Sequence, residues 1–150
     1  MNSKLENYLY NEYPKIFKTQ IPIDCGDGWF FLLNSLLRRI TRHLDVENEL
    51  ARINGTEEIQ QVVALQIKEK FAGLRFYFSG GDSTISTITS YTEDLSHYIC
   101  EETGAFDGDI GISNRGGWMK TCHKNQAGDS KWVAIYEDSL LQILEELKLR

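Results

Sequence analysis

The segment QIKEKFAGLRFY, residues 66–77, constrains the fold of this chain more than any other stretch. Apolar and polar residues alternate on both sides of Ala72-Gly73, which is the pattern of two half-buried β-strands joined by a tight turn. Gly73 is free to take a positive φ in that turn, because it has no Cβ to clash there. Lys68 and Arg75 are predicted to face solvent. The side chains predicted to be buried in this β-hairpin are Leu65, Ile67, Leu74, Phe76 and Phe78.

Apolar residues recur at helical spacing in the segments that flank the hairpin. Ser3 is expected to cap a short helix near the start of the chain. Asp27 is positioned to cap a longer helix with its carboxylate, and Asp82 or Ser83 to cap a later one. The longer helices are predicted to cover residues 28–45, 83–102 and 138–148.

The segment 105–117 holds four glycines and is predicted to be a loop. Short alternating stretches predict strands at 118–122 and 132–136. With 150 residues, of which 41% are hydrophobic, the chain suits one domain with a sizeable core. We therefore predict a single α+β domain over 1–150, with a small antiparallel sheet built on the central hairpin and helices packed against that sheet.

Composition and charge indicate in which compartment the protein acts and which kinds of partner it can bind. The longest apolar run, 29–33, is far shorter than the ~20 residues that a membrane helix needs. The first residues lack a signal-peptide pattern and the three cysteines have no regular spacing, so we predict a cytoplasmic protein without disulfides. The net charge of −6 repels a phosphate backbone. These features predict no membrane association and favour a protein over a nucleic acid as the partner.

Several short motifs make the chain resemble a family of small, uncharacterised proteins of phages and prophages. The resemblance covers most of residues 5–123, and its most specific part is the hairpin. It implies a protein that acts in the cytoplasm of a host cell. The matching motifs are CGDGW at 25–29, QIKEKF at 66–71, LRFY at 74–77, GGD at 80–82, Cys100-Glu101 with Gly104, and GGW at 116–118 before Cys122.

The same resemblance implies a structural zinc site in the last third of the chain. Members of the family carry a CxxC pair at a helix end and a CxxH pair after the GGW motif. Here Thr103 and Asn125 stand at two of the four ligand positions, whereas a closed zinc site needs four nitrogen or sulfur ligands. We therefore predict a degenerate motif without a metal, and no other cofactor. If a metal were bound, its ligands would come from Cys100, Cys122, His123 and His97.

A binding surface is predicted on the loop 106–118 together with the polar face of the hairpin. Loops carry recognition because their backbone can be shaped without disturbing the core. Glycines in this loop allow close approach, its acidic residues suit a basic partner, and its aromatic residues can act as anchors. The alternative is a connector left behind after loss of the metal. The predicted binding residues are Arg75, Tyr77, Phe106, Asp107, Asp109, Arg115 and Trp118.

Two other functions stay open at this point. Cys25 could serve an enzyme as a nucleophile with acidic Asp24 and Asp27 beside it, but a nucleophilic cysteine needs a base and a lowered pKa. Otherwise Cys25 packs as a small apolar residue. The second alternative is a nucleic-acid-associated module derived from a zinc-binding ancestor. Its basic, partly aromatic patch would comprise Lys68, Lys70, Arg75, Arg115, Lys120 and Tyr77.

The function that the sequence favours is that of a non-enzymatic cytosolic binding protein of phage or mobile-element type. Such a protein would inhibit a host or competing protein by occluding it, as anti-defence and immunity proteins do. This prediction follows from the resemblance and from the lack of a credible catalytic set in the sequence, so no catalytic residue is predicted.

Overall fold

The computed structural model describes residues 1–135, and the predicted helix at 138–148 lies outside these residues. The described part combines α-helices with two three-stranded sheets, which confirms the α+β class. The helices are α1 (Ser3–Glu12), α2 (Phe30–Asn54) and α3 (Ser83–Ser96). The strands are β1 (Ile23–Asp24), β2 (Val63–Lys70), β3 (Gly73–Ser79), β4 (Ile110–Arg115), β5 (Trp118–His123) and β6 (Lys131–Ala134).

The predicted hairpin is present as β2 and β3, and a short parallel strand, β1, extends its sheet. The turn differs from the prediction, because Phe71 and Ala72 take positive φ values of 53° and 62° and Gly73 does not. A Cβ at Gly73 would lie 2.7 Å from the ring of His97, so a larger residue there would require that side chain to move.

A β-bulge changes which side chains of β2 are buried. The pairing register shifts between Ala64 and Gln66, and the extra residue reverses the alternation on one side of it. Leu65 is consequently 57% exposed, so the prediction that it is buried is wrong. The burial of Ile67, Leu74 and Phe76 is confirmed, and Phe78 is partly buried. Lys68 and Arg75 are intermediate rather than fully exposed.

Helix α3 closes the free edge of the hairpin sheet. Ser96 Oγ accepts a hydrogen bond of 2.8 Å from the backbone N–H of Leu74, and Glu93 Oε1 accepts one of 2.8 Å from that of Phe76. These side chains satisfy donors that an edge strand would otherwise offer to another chain. The helix is shorter than the predicted 83–102, and Asp82 caps it as predicted, through a 2.9 Å bond to Ile85 N–H.

Helix α2 is longer than predicted and begins differently. A 3₁₀ turn, Asp27–Trp29, precedes it, and Gly55 ends it with a φ of 67°. The prediction that Asp27 caps this helix is wrong, because its carboxylate accepts two 2.7 Å hydrogen bonds from the backbone N–H and Nδ2 of Asn2. These bonds lower the pKa of Asp27. Asn2, rather than Ser3, caps α1.

The second sheet corrects the prediction of a loop over 105–117. Strand β4 lies between β5 and β6 and pairs antiparallel with both. Its sequence, IGISNR, contains only two apolar residues, which is too few to reveal an alternation. Gly111 lets β6 lie this close to β4, because a Cβ there would lie 2.3 Å from the Trp132 ring and 2.5 Å from the backbone oxygen of Val133. The strands predicted at 118–122 and 132–136 correspond to β5 and β6.

The core has a large and a small part. The large cluster joins α1, α2, α3 and the hairpin sheet around Trp29, which is fully buried. The small cluster lies under the second sheet and contains Cys100, Ile110 and Cys122. No helix within residues 1–135 is long and apolar enough to cross a membrane.

Candidate functional site

Two of the motifs that carry the family resemblance interlock as one structural joint. Glu101 accepts hydrogen bonds of 2.8 Å from Gly26 N–H, through Oε1, and from Gly28 N–H, through its backbone oxygen. The indole of Trp29 donates a 2.8 Å bond to the backbone oxygen of Ile99. A Cβ at Gly28 would lie 2.3 Å from the backbone oxygen of Cys100. We call residues 26–29 with 99–104 the motif joint. Its glycines are explained by close backbone approach.

The carboxyl group of Glu101 is buried inside the motif joint. Oε2 has no hydrogen-bond partner among residues 1–135. Burial raises the pKa of this carboxyl group, because the charged form loses its hydration, and the Gly26 N–H and the Lys120 charge offset only part of that effect. The protonated acid is therefore favoured in the folded protein relative to the unfolded chain.

Glu101→Gln is expected to change the pH dependence of stability. Because the folded pKa is raised, the contribution of Glu101 is fully present below its unfolded pKa and is lost as the pH rises through the folded value. A glutamine keeps an acceptor for Gly26 N–H and carries no charge. We expect the variant to gain stability relative to the wild type as the pH rises from about 4 toward neutrality. Urea unfolding across this range measures it, and parallel pH profiles would contradict the assignment.

The four candidate zinc ligands do not converge in the structure. Cys100 and Cys122 share the small core. His123 is adjacent to Cys122 on a strand and so points to the other face, where its Nε2 lies 3.5 Å from Asp107 Oδ2. His97 packs against Gly73. In the described part of the chain, no group of three or more His, Cys, Asp or Glu residues is arranged to hold a metal ion.

We expect the purified protein to contain no stoichiometric zinc. The reason is that the sequence and the arrangement of the side chains both leave a four-ligand site incomplete. Elemental analysis after dialysis measures the metal content. About one zinc per chain, together with lower thermal stability after chelation, would contradict the prediction.

Cys25 lies in the large core, and the structure does not activate it. Burial raises the pKa of its thiol to about 12. A nucleophilic cysteine needs the opposite shift, because the thiolate is the reactive form. The core environment thus argues against the hypothesis of an enzyme that uses Cys25.

The predicted binding residues fall at three separate places. Arg115 and Trp118 pair across the tip of the β4–β5 hairpin. Strand β4 has six residues, so 106–109 lies at its other end, roughly 20 Å away. There Asp107 accepts a 3.0 Å bond from Asp109 N–H, while Phe106 is 69% exposed.

Arg75 and Tyr77 lie on β3. Arg75 is directed toward α3: its Nη1 donates a 2.7 Å bond to the oxygen of Leu74 and lies 4.0 Å from Glu93 Oε2. Tyr77 is partly exposed, and the centre of its ring lies 5.7 Å from the Nζ of Lys68. The seven residues therefore do not form one continuous patch.

One predicted residue, Trp118, lines a groove with a residue that the sequence did not point to, Phe71. The two hairpin turns lie side by side, and Thr121 Oγ1 connects them by a 2.6 Å bond to the backbone oxygen of Ala72. Phe71 is 65% and Trp118 72% exposed. We call this cavity of about 240 Å³ the twin-turn groove. Its lining residues are Glu69, Lys70, Phe71, Gly117, Trp118 and Met119.

The backbone under the groove is strained. Two successive positive φ values define a turn that favours Asn-Gly, yet Phe71 and Ala72 occupy it. A left-handed conformation costs a residue with a Cβ about 1–2 kcal/mol. Ala72 is fully buried, and its N–H donates a 2.7 Å bond to Glu69 Oε1. The ring of Phe71 is mainly exposed, so folding gains little from it. A strained position with an exposed aromatic ring points to a functional role.

Neither the models of known protein families, nor the curated proteins, nor the solved structures give a match to this chain.

Proposed function

We propose that this chain is a non-enzymatic binding protein that uses the twin-turn groove to bind a protein partner. The observation that carries the proposal is the strained, exposed Phe71 beside the exposed Trp118. Aromatic side chains are enriched among the residues that dominate protein–protein affinity, where they fill pockets of the partner. Two exposed rings beside one cavity also form an apolar patch, which on a folded protein marks a site of interaction.

The biological role that we propose for this surface follows the family resemblance. A phage or mobile-element protein that binds a host or competing protein can inhibit it by occlusion, without chemistry of its own. The raised pKa of Cys25 agrees with a role that needs no nucleophile. The site of action would be the cytoplasm of the host cell.

A second candidate function is the binding of single-stranded nucleic acid. The observation that favours it is the position of lysine ammonium groups over aromatic rings: Lys70 Nζ lies 5.3 Å from the centre of the Phe71 ring. Exposed Arg115 lies opposite Trp118 at the neighbouring hairpin tip. Rings on which bases stack, surrounded by positive charge, are typical of such proteins. The net charge of −6 weighs against it.

The test begins with capture of partners from a bacterial host lysate by the immobilised full chain, followed by purification of the captured protein. We expect Trp118→Ala and Phe71→Asn each to weaken its binding by at least about 2 kcal/mol, or roughly 30-fold, as anchor residues do. Phe106→Ala is the matched control, because this ring is exposed to the same degree at the far end of β4. Calorimetric titration measures the affinities.

Three results would contradict the proposal. If only Phe106→Ala lost binding, the surface would lie at residues 106–109. If neither groove variant had an effect, the groove would not be the binding surface. If a single-stranded oligonucleotide bound tightly through Phe71 and Trp118, with affinity falling steeply as salt rises, the second candidate function would replace the first.

The effect of Phe71→Asn on stability shows whether Phe71 destabilises the fold through its strained backbone or stabilises it through packing of its ring. Asparagine takes a left-handed conformation more readily than phenylalanine. We therefore expect the variant to raise the free energy of unfolding by up to about 1 kcal/mol while it weakens binding. Denaturant unfolding measures this. A loss of stability would show that the Phe71 ring supports the fold, and would remove the main argument for its role in binding.

A further inference from the structure

A second surface runs along the side of α2 that faces away from the core. The helix buries one face through residues such as Leu33, Leu37 and Ile40. Residues spaced three and four apart on the opposite side stay exposed over a length of about 33 Å. We call this surface the arginine stripe. Its residues are Phe31, Ser35, Arg38, Arg39, Arg42, Asp45, Val46, Glu49, Leu50 and Ile53. The two acidic residues of the stripe are paired, Asp45 with Lys15 and Glu49 with Arg52.

The ends of the arginine stripe are apolar. Phe31 at the first turn is 77% exposed and Ile53 at the last is 70% exposed, with Val46 and Leu50 about half exposed between the arginines and the end of the helix. An apolar residue exposed singly needs no explanation. Four at helical spacing on one side of one helix form an amphipathic surface suited to a partner.

The middle of the stripe is positively charged, and no carboxylate within residues 1–135 neutralises it. Arg38, Arg39 and Arg42 line a cavity of about 290 Å³ with Ser35. None of the three has a carboxylate within salt-bridge distance among the residues that the structure describes. Arg52 on the same helix, in contrast, contacts Glu49 at 2.7 Å and Glu58 at 3.2 Å. Three neighbouring arginines without an acidic partner in the described part of the chain form a local positive patch, although the net charge of the whole chain is −6.

The positive and apolar parts of the stripe are continuous. Arg39 and Arg42 also line a neighbouring cavity of about 450 Å³, which Val46 and Ile88 share and where Glu47 is the acidic residue. A partner on this face would meet arginines at its centre and apolar side chains beyond them.

We propose that the arginine stripe is a docking site for an acidic amphipathic helix of a partner protein. Glutamate or aspartate carboxylates on that helix would pair with Arg38, Arg39 and Arg42, since arginine forms two parallel hydrogen bonds to a carboxylate. Apolar residues spaced three and four apart would contact Phe31 at one end and Leu50 and Ile53 at the other. This proposal is independent of the twin-turn groove.

The charge pattern argues against the other occupants. In an antiparallel two-fold dimer through this face, the arginines would meet those of the second copy, because they lie near the middle of the stripe. Nucleic acid would pair with the arginines but leave the apolar ends unused. A lipid surface would accept the apolar ends only by burying the arginines between them, and such helices usually carry their basic residues on the polar face.

The experiment uses the full-length chain and a fluorescein-labelled synthetic helical peptide. The peptide has leucines spaced three and four apart at both ends and glutamates on the same face in its middle. The comparison probes are a scrambled peptide of the same composition, a single-stranded oligonucleotide of equal charge, and vesicles containing phosphatidylserine. Fluorescence anisotropy measures binding of the peptides and the oligonucleotide, and co-sedimentation measures binding of the vesicles.

We expect the amphipathic peptide to bind at least about tenfold more tightly than the scrambled one. Arg38→Gln/Arg39→Gln/Arg42→Gln and, separately, Phe31→Ser/Ile53→Ser should each weaken binding by at least about tenfold. Lys4→Gln/Lys18→Gln/Lys131→Gln is the matched control. It removes the same number of exposed positive charges elsewhere and should leave the affinity within about twofold. All substituted residues are exposed, so unchanged thermal midpoints verify the fold.

Any one of five results would overturn the proposal. Equal affinity for the scrambled peptide, or no binding of either peptide, would show that the stripe does not recognise an acidic helix. Equal loss in the lysine control would show that net charge alone drives binding. Tighter binding of the oligonucleotide or of the vesicles, lost on substitution of the three arginines, would assign the stripe to nucleic acid or to membranes.

Discussion

Replacing Trp29 with alanine is expected to lower the free energy of unfolding by about 3–5 kcal/mol, as truncation of a large core side chain does. Trp29 is fully buried in the large core, directly before α2. The variant leaves a cavity between the helices and the hairpin sheet, and it leaves the backbone oxygen of Ile99 without its 2.8 Å donor. Burial of an unpaired carbonyl adds to the cost of the cavity. Guanidinium unfolding, monitored by circular dichroism, measures the loss.

Trp118→Ala is the matched control for this measurement. Trp118 is 72% exposed at the tip of a hairpin, so its removal should change stability by no more than about 0.5 kcal/mol. The two substitutions remove the same atoms from opposite environments. If Trp29→Ala cost no more than Trp118→Ala, Trp29 would not hold the core together. If Trp118→Ala were as costly as Trp29→Ala, Trp118 would belong to the core, and its role in the twin-turn groove would need another test.

Gly28→Ala is the second substitution with a large expected effect. We expect it to lower the free energy of unfolding by about 3 kcal/mol, which is near the upper end of the usual cost of overpacking a core. The new Cβ would lie 2.3 Å from the oxygen of Cys100 and 2.3 Å from the nitrogen of Gly104. Both are backbone atoms and cannot move aside as a flexible side chain would. The two halves of the motif joint must therefore separate, which weakens the 2.8 Å bond from Gly28 N–H to Glu101.

Gly108→Ala is the control for Gly28→Ala, since no atom lies within 4 Å of a Cβ at Gly108. We expect it to be neutral within about 0.5 kcal/mol. Thermal and denaturant unfolding of both variants measure the difference. Equal stability of the two variants would mean that the motif joint opens at little cost, and would contradict its role in connecting the start of α2 to the segment that follows α3.

The motif joint consists of residues from two of the sequence motifs. Gly26, Gly28 and Glu101 are motif residues, and each contributes to packing between distant parts of the chain. These motif residues therefore contribute to the packing of the fold. The surfaces proposed for binding depend on other residues, chiefly Phe71 with Trp118 and the arginines of α2, and of these only Trp118 was among the binding residues predicted from the sequence.

Local pattern alone was enough to predict the hairpin, the start of α3 and the existence of α2. Alternation with period two reports a half-buried strand, and Asp82 caps the helix that directly follows it. These features depend on neighbours in sequence. The same reasoning could place Trp118 at an exposed position, because it follows two glycines at a tight turn.

The remaining features depend on contacts between residues far apart in the chain, which only the tertiary structure could decide. Asp27 bonds to Asn2 instead of capping α2, the bulge between Ala64 and Gln66 leaves Leu65 exposed, and Trp132 of β6 packs on Gly111 of β4. Phe71 adopts a left-handed backbone in a turn whose next residue, Ala72, accepts a hydrogen bond from the distant Thr121. In three of these cases the contacting residue is distant in sequence: Asn2 lies 25 residues from Asp27, Trp132 lies 21 residues from Gly111, and Thr121 lies 49 residues from Ala72. The sequence alone thus determined the class of the fold and its strongest elements, while long-range packing decided which side chains reach the surface and, with them, where this protein can bind.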